Sequence, residues 1–143
     1  MAPPTPRCVR SGLLLNHRGE VLAVRTVGAP GGVYRLPGGD PGEDNADWLG
    51  LARTVHYETG LKAVVGRVLA RDTNVTGPFP YSRYVHFCGR VPEHHKLTLS
   101  SVDHHRWVTA DDLEEFFGPS AALVADALKA LANGTVDAQT LAV

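Results

Sequence analysis

Long apolar runs are missing from this chain. A bilayer span needs about 20 consecutive apolar residues, and here runs such as Gly12–Leu15 and Val21–Val24 are cut short by Asn16 and Arg25. The first residues, MAPPTPR, lack the apolar centre of a secretory leader. Cysteine is scarce: Cys8 and Cys88 lie far apart and form no CxxC pair. That argues against a disulfide framework, and a reducing cytoplasm is the expected compartment. A charge excess of either sign is also absent. With a net charge of −1 there is no global basic field for a nucleic-acid polymer or an anionic membrane. Neither HExxH nor H-x3-H occurs among the seven histidines. The sequence contains no internal repeat and no low-complexity segment.

What is present is the balance of a folded protein, 43% hydrophobic and 20% charged over 143 residues. That length suits one core, so residues 1–143 are expected to form a single domain, with 1–6 and 136–143 as flexible tails. Val9–Leu15 and Glu20–Val27 are β-prone runs around Asn-His-Arg-Gly, a hairpin signal in which Gly19 can take φ > 0. The segment 33–36, VYRL, reads as a short strand stopped by Pro37. Trp48, Leu51, Ala52, Val55 and Thr59 then recur at helical spacing, and Gly60 suits the position that ends the helix. Strands are expected over 61–71, with Gly66 as a bulge, within 78–91 after Pro80, and over 105–108. Thr109 with Asp112 matches a capping box. Pro119 begins a last helix whose stripe is Leu123, Val124, Ala127, Leu128 and Leu131, stopped by Gly134. The order predicts an α+β domain.

The stretch 53–61, RTVHYETGL, raises the functional question. Arg53, Val55, Glu58, Gly60 and Leu61, together with LPGG at 36–39, resemble the Nudix family, whose box reads G-x5-E-x7-R-E-U-x-E-E-x-G-U with U aliphatic. The hairpin GLLLNHRGEVLAVR upstream and Trp107-Val108 leading to Leu113 downstream extend the resemblance over most of the chain. It implies an α/β/α sandwich with a mixed sheet, a loop and helix at 38–60, and C-terminal helices. It also implies hydrolysis of a pyrophosphate linkage in a nucleotide or related small molecule, through Mg2+ or Mn2+ held by box glutamates.

Here the sequence departs from the pattern. On the helix face where the family carries three acids stand Thr54, Tyr57 and Glu58. Asn45 occupies the loop acid in strict register, although a shifted alignment makes Gly42-Glu43 the family's Gly-Glu pair. Mg2+ is often held by one or two carboxylates plus water and substrate phosphates, so Glu58 with Glu43 gives a weakened metal site.

By resemblance Arg53 orients the loop, and Gly38 and Gly39 shape it. Tyr57 is a candidate donor to phosphate or proton carrier, or a packing residue. Tyr81, Arg83 and Tyr84 suit base stacking and phosphate contact, with strand packing as the plainer reading. Asp103 or His104 lies in the late segment where the family often places a catalytic base, and His104 is a candidate in the substrate site. The expected ligand is a small phosphate-containing molecule, and the family's habit implies a homodimer. The rival readings are a ligand-binding module that has lost turnover and an enzyme repurposed to work without metal.

Overall fold

The computed structural model describes residues 7–26, 34–38, 48–74, 81–93, 95–100 and 102–134. Five strands, β1 (Arg7–Leu15), β2 (Val21–Thr26), β3 (Val68–Asn74), β4 (Tyr81–Arg90) and β5 (Val102–Val108), form one sheet in the order β3-β4-β1-β2-β5. β1 and β4 run parallel and the other neighbours antiparallel, giving the expected mixed sheet. Helix α1 (Trp48–Thr59) covers one face, where Leu51, Val55 and Leu61 pack with Leu14, Leu22, Cys88 and Val91. Helices α2 (Leu113–Phe117) and α3 (Ala121–Asn133) cover the other, burying Phe117, Leu123, Val124 and Ala127 with Leu13, Val85 and Phe87. The result is the predicted α/β/α sandwich. None of its described helices is long and apolar enough to cross a membrane.

The register follows from period-two burial on a sheet packed on both sides. Along β4, Val85 and Phe87 enter the α3-side core, while His86 lies on the α1 side. Burial pushes the Cys88 thiol up to about 12, so it packs as a small apolar group. The hairpin at 16–20 is closed by Asn16, whose side-chain oxygen accepts the Arg18 and Glu20 N–H groups at 3.0 and 2.9 Å, with Gly19 at φ 77°.

Several expectations need correction. Residues 61–67 are not a strand; β3 starts at Val68, and its pairing with β4 shifts between Val68 and Ala70 rather than at Gly66. Gly66 instead makes a close backbone approach, donating to the Phe87 carbonyl at 2.7 Å. Of VYRL, the described residues 34–36 contribute a single bridge, Arg35 to Val24. Trp48 is not core: it is 56% exposed at the first turn of α1. Thr109 makes no side-chain cap to the backbone; its hydroxyl donates to the Asp112 carboxylate at 3.2 Å. The tails 1–6 and 136–143 lie outside the described residues.

One feature of the sheet positions the site. β1 and β2 meet only at Leu15 and Val21 and then splay apart. The segment 34–38 fills the gap: Gly12 N–H donates to the Pro37 carbonyl at 2.9 Å, and Arg35 and Val24 exchange two backbone bonds of 2.8 Å. The Gly12 N–H and both backbone groups of Val24 are thereby satisfied. Arg35 and Gly38 are held against the flank of α1.

Candidate functional site

Helix α1 is terminated by contacts that also fix the site. Gly60, at φ 78°, donates to the His56 carbonyl at 2.8 Å, the left-handed ending that glycine allows. The last carbonyls of α1 are satisfied from the 95–100 segment: Thr98 N–H donates to Thr59 O at 2.9 Å and Ser100 N–H to Glu58 O at 3.2 Å. Tyr57, His56, Gly60, Thr98 and Ser100 line an open groove of about 450 Å3 there, within the size range of small-molecule sites. Among the described residues its side-chain polar groups are the Tyr57 phenol, the His56 imidazole and the two hydroxyls, without a carboxylate.

Glu58 does not open into solvent. It is 4% exposed and accepts three hydrogen bonds. Arg35 grips both carboxylate oxygens, Nη1 donating to Oε1 at 3.2 Å and Nη2 to Oε2 at 2.5 Å. Gly38 N–H donates to Oε1 at 2.8 Å. A two-pronged guanidinium–carboxylate pair is among the stronger charge-assisted contacts, and burial makes its completeness matter. Gly38 sits at φ 85°, and a Cβ there would collide with Leu51 Cδ1. Only glycine brings its N–H to Glu58 without strain.

The other expected site residues are dispersed. Arg53 is exposed on α1, and the guanidinium that holds Glu58 belongs to Arg35. Tyr57 is 63% exposed at the groove. Thr54 turns its hydroxyl back onto the Gly50 carbonyl at 2.9 Å. Arg83 and Tyr84 project from opposite faces of β4. Arg83 forms a two-pronged pair with Asp72 and donates to Ser120 Oγ at 2.9 Å, tying β3 and β4 to the turn before α3. Tyr84 lies under the Arg10 guanidinium, 4.7 Å from ring centre to Cζ. His104 is exposed on β5 opposite Arg25, and its neighbour His105 is shifted down by desolvation and then by His104. Tyr81 is in β4 beside Arg7 and Asn74, its side chain outside the described set. Gly39 and Glu43 also lie outside the described residues.

A second cluster was missed by the sequence reading. Buried His86 sits between the Gly66 carbonyl, 2.9 Å from Nδ1, and Arg10 Nη1, 2.8 Å from Nε2, with the Trp48 ring edge-on at 5.8 Å. Nε2 can only accept from a guanidinium, so Nδ1 carries the proton and donates to Gly66. Desolvation holds the His86 pKa below its ordinary value; the Gly66 bond opposes this and Arg10 reinforces it. Arginine on a strand beside a histidine two strands' distance away in sequence carries no linear signal.

A divalent cation needs several oxygen ligands and a surplus of negative charge. Among the described residues no group of three or more His, Cys, Asp or Glu side chains could hold a metal ion. Glu58 is already neutralised by Arg35. The described residues therefore do not fit the metal centre that the box pattern implies.

The family model for the NUDIX domain matches residues 5–130. The chain belongs to the Nudix family. Solved Nudix-fold structures agree. The MutT protein of Methanosarcina mazei superposes with a TM-score of 0.67 at 23% identity, covering 89% of this chain and 94% of that one. A Caenorhabditis elegans Ap4A hydrolase gives 0.65 at 17% identity, covering 88% and 95%. The NUDIX domain of Shewanella oneidensis NrtR, complexed with ADP ribose, gives 0.67 at 15% identity, covering 91% and 90%. No curated protein sequence matches. At these identities the structural likeness establishes the fold.

Proposed function

We propose that this Nudix chain binds a small nucleotide containing a pyrophosphate linkage, and that metal-assisted hydrolysis of that linkage is slow. The observation that carries this reading is the state of Glu58, the one acid remaining on the box face, committed to Arg35 and Gly38. Support for the ligand class comes from the family and from relatives whose names specify Ap4A and ADP ribose. The groove beside Tyr57 offers hydroxyl, phenol and imidazole donors suited to phosphate oxygens. The test is a nucleotide panel read two ways, by melting temperature and by product formation, with Mg2+, with Mn2+ and with EDTA. A ligand-dependent rise in melting temperature with little product supports the reading. Fast turnover that EDTA abolishes overturns it.

A second reading is favoured by the preserved contact between the Gly38 loop and Glu58. On it the chain is a Nudix pyrophosphohydrolase whose weak Mg2+ or Mn2+ site is completed by Glu43 and the substrate's own phosphates. Water attacks phosphorus, and Arg53 and Gly39 act on the loop. Turnover lost both in Glu58→Gln and in Glu43→Gln would establish this reading. Tyr57, placed at the groove, contacts phosphate in either case. His104 and Tyr84 are the next residues to vary for substrate effects.

A further inference from the structure

We infer that Arg35 is a built-in counter-cation: it neutralises Glu58 as a divalent ion would, so that the box face accepts phosphate without metal. The inference rests on the ligand-binding reading above and concerns how that binding is charged. In a box with three carboxylates on one helix face, a polyanionic ligand meets like charge, and bound cations must cancel it. Here two of the three positions are the uncharged Thr54 and Tyr57. The third, Glu58, carries −1 and is paired two-pronged with the +1 of Arg35. Among the described residues of that face, the sum over Thr54, Tyr57, Glu58 and Arg35 is zero before any ligand arrives.

The fold gives Arg35 this position. Segment 34–38 is sewn between the splayed β1 and β2 by the Gly12–Pro37 and Val24–Arg35 backbone bonds, which fixes where the Arg35 side chain starts. Nη1 donates to the Leu36 carbonyl at 3.2 Å as well as to Glu58. A metal ion competing for Glu58 would have to expel this guanidinium from a site that supplies it with three acceptor oxygens. The other arginines nearby do not share the role: Arg83 is paired with Asp72 on the opposite face, and Arg53 points to solvent. Arg35 is thus a positioning residue, acting on ligand and metal through Glu58.

The experiment titrates Mn2+ onto the full chain without nucleotide and reads free Mn2+ by electron paramagnetic resonance. The wild type is expected to show no saturable uptake below about 1 mM, and Glu58→Gln to match it. Arg35→Lys, which keeps a cation, should behave as wild type. Arg35→Gln should gain uptake that the Arg35→Gln/Glu58→Gln pair loses. Saturable uptake by the wild type that Glu58→Gln removes overturns the inference, a result that stands even if Arg35→Gln fails to fold. In a second arm, ADP-ribose is added with EDTA or with Mn2+, and melting temperature is read. Equal shifts in both buffers support the inference, and a shift that needs Mn2+ overturns it. No shift in either buffer refutes the ligand reading, while the Mn2+ titration still decides the role of Arg35.

Discussion

Removing Arg35 is the perturbation whose cost the structure determines most closely. In Arg35→Ala, Glu58 Oε2 loses its 2.5 Å partner and Oε1 keeps only the Gly38 N–H. The carboxylate side chain is 5% exposed, so water cannot replace the guanidinium without local opening. Removing one partner of a buried ion pair costs about 3–5 kcal/mol, mainly because the remaining charge stays desolvated. Arg35 itself is more exposed, at 20% of its side chain, so the reverse change should be milder. Glu58→Gln keeps an oxygen for Gly38 and leaves Arg35 partly hydrated, at about 1–2 kcal/mol. For a chain of this length 1 kcal/mol corresponds to roughly 3–5 °C, so Arg35→Ala should melt about 10–25 °C lower. Because the two residues touch, their effects should not add. The Arg35→Met/Glu58→Leu pair should recover much of the loss, with a coupling of about 2–3 kcal/mol in a double-mutant cycle. Urea denaturation of the wild type, Arg35→Met, Glu58→Leu and the double variant measures it. A cost below about 1 kcal/mol for Arg35→Ala, or coupling under about 0.5 kcal/mol, would refute the buried-brace argument.

Two further changes probe the frame around that pair. Gly38→Ala must hold alanine at φ 85° and push Leu51 aside, so a loss of roughly 2–4 kcal/mol in urea denaturation is expected; a loss under about 0.5 kcal/mol would show that the loop can take another path. His86 has its folded pKa below the ordinary 6.5, so its contribution to stability is complete above that pH and is lost as pH falls from 6.5 towards the depressed native value. Melting temperature should therefore drop on acidification through this window, and less steeply in His86→Gln, which keeps a polar side chain without the titration. Equal slopes for both proteins would assign the acid sensitivity elsewhere.

The sequence carried the parts of this fold that depend on local chemistry. Asn16 and Gly19 shape a turn whatever surrounds them, and both are found in the hairpin. The α1 stripe at Leu51 and Val55 is buried, and Gly60 ends the helix in the left-handed region. The α3 stripe at Leu123, Val124 and Ala127 is buried as well. Where partners are distant in sequence, the reading failed. Trp48 fits the helical period, yet at the first turn of α1 it overhangs the sheet beside His86 instead of entering the core. The start of β3 was misplaced because the apolar run from Leu61 onward has strand-like composition whether or not it pairs. The box pattern singled out Glu58 and Gly38, which the structure joins by a hydrogen bond. It could not identify Arg35, because an arginine on a short strand looks like a surface residue until the segment is seen lodged between β1 and β2. The one acid in RTVHYETGL thus survives in a structural contact, a state that no spacing rule reveals.

The central claim is that Glu58 is satisfied by Arg35 and that phosphate ligands bind without a divalent ion. The most direct measurement is calorimetric titration of ADP-ribose into the wild-type chain, once in EDTA and once in Mg2+. The account predicts binding in both buffers with affinities within about threefold, less than 1 kcal/mol apart. Binding confined to the Mg2+ buffer, with none in EDTA, would contradict it.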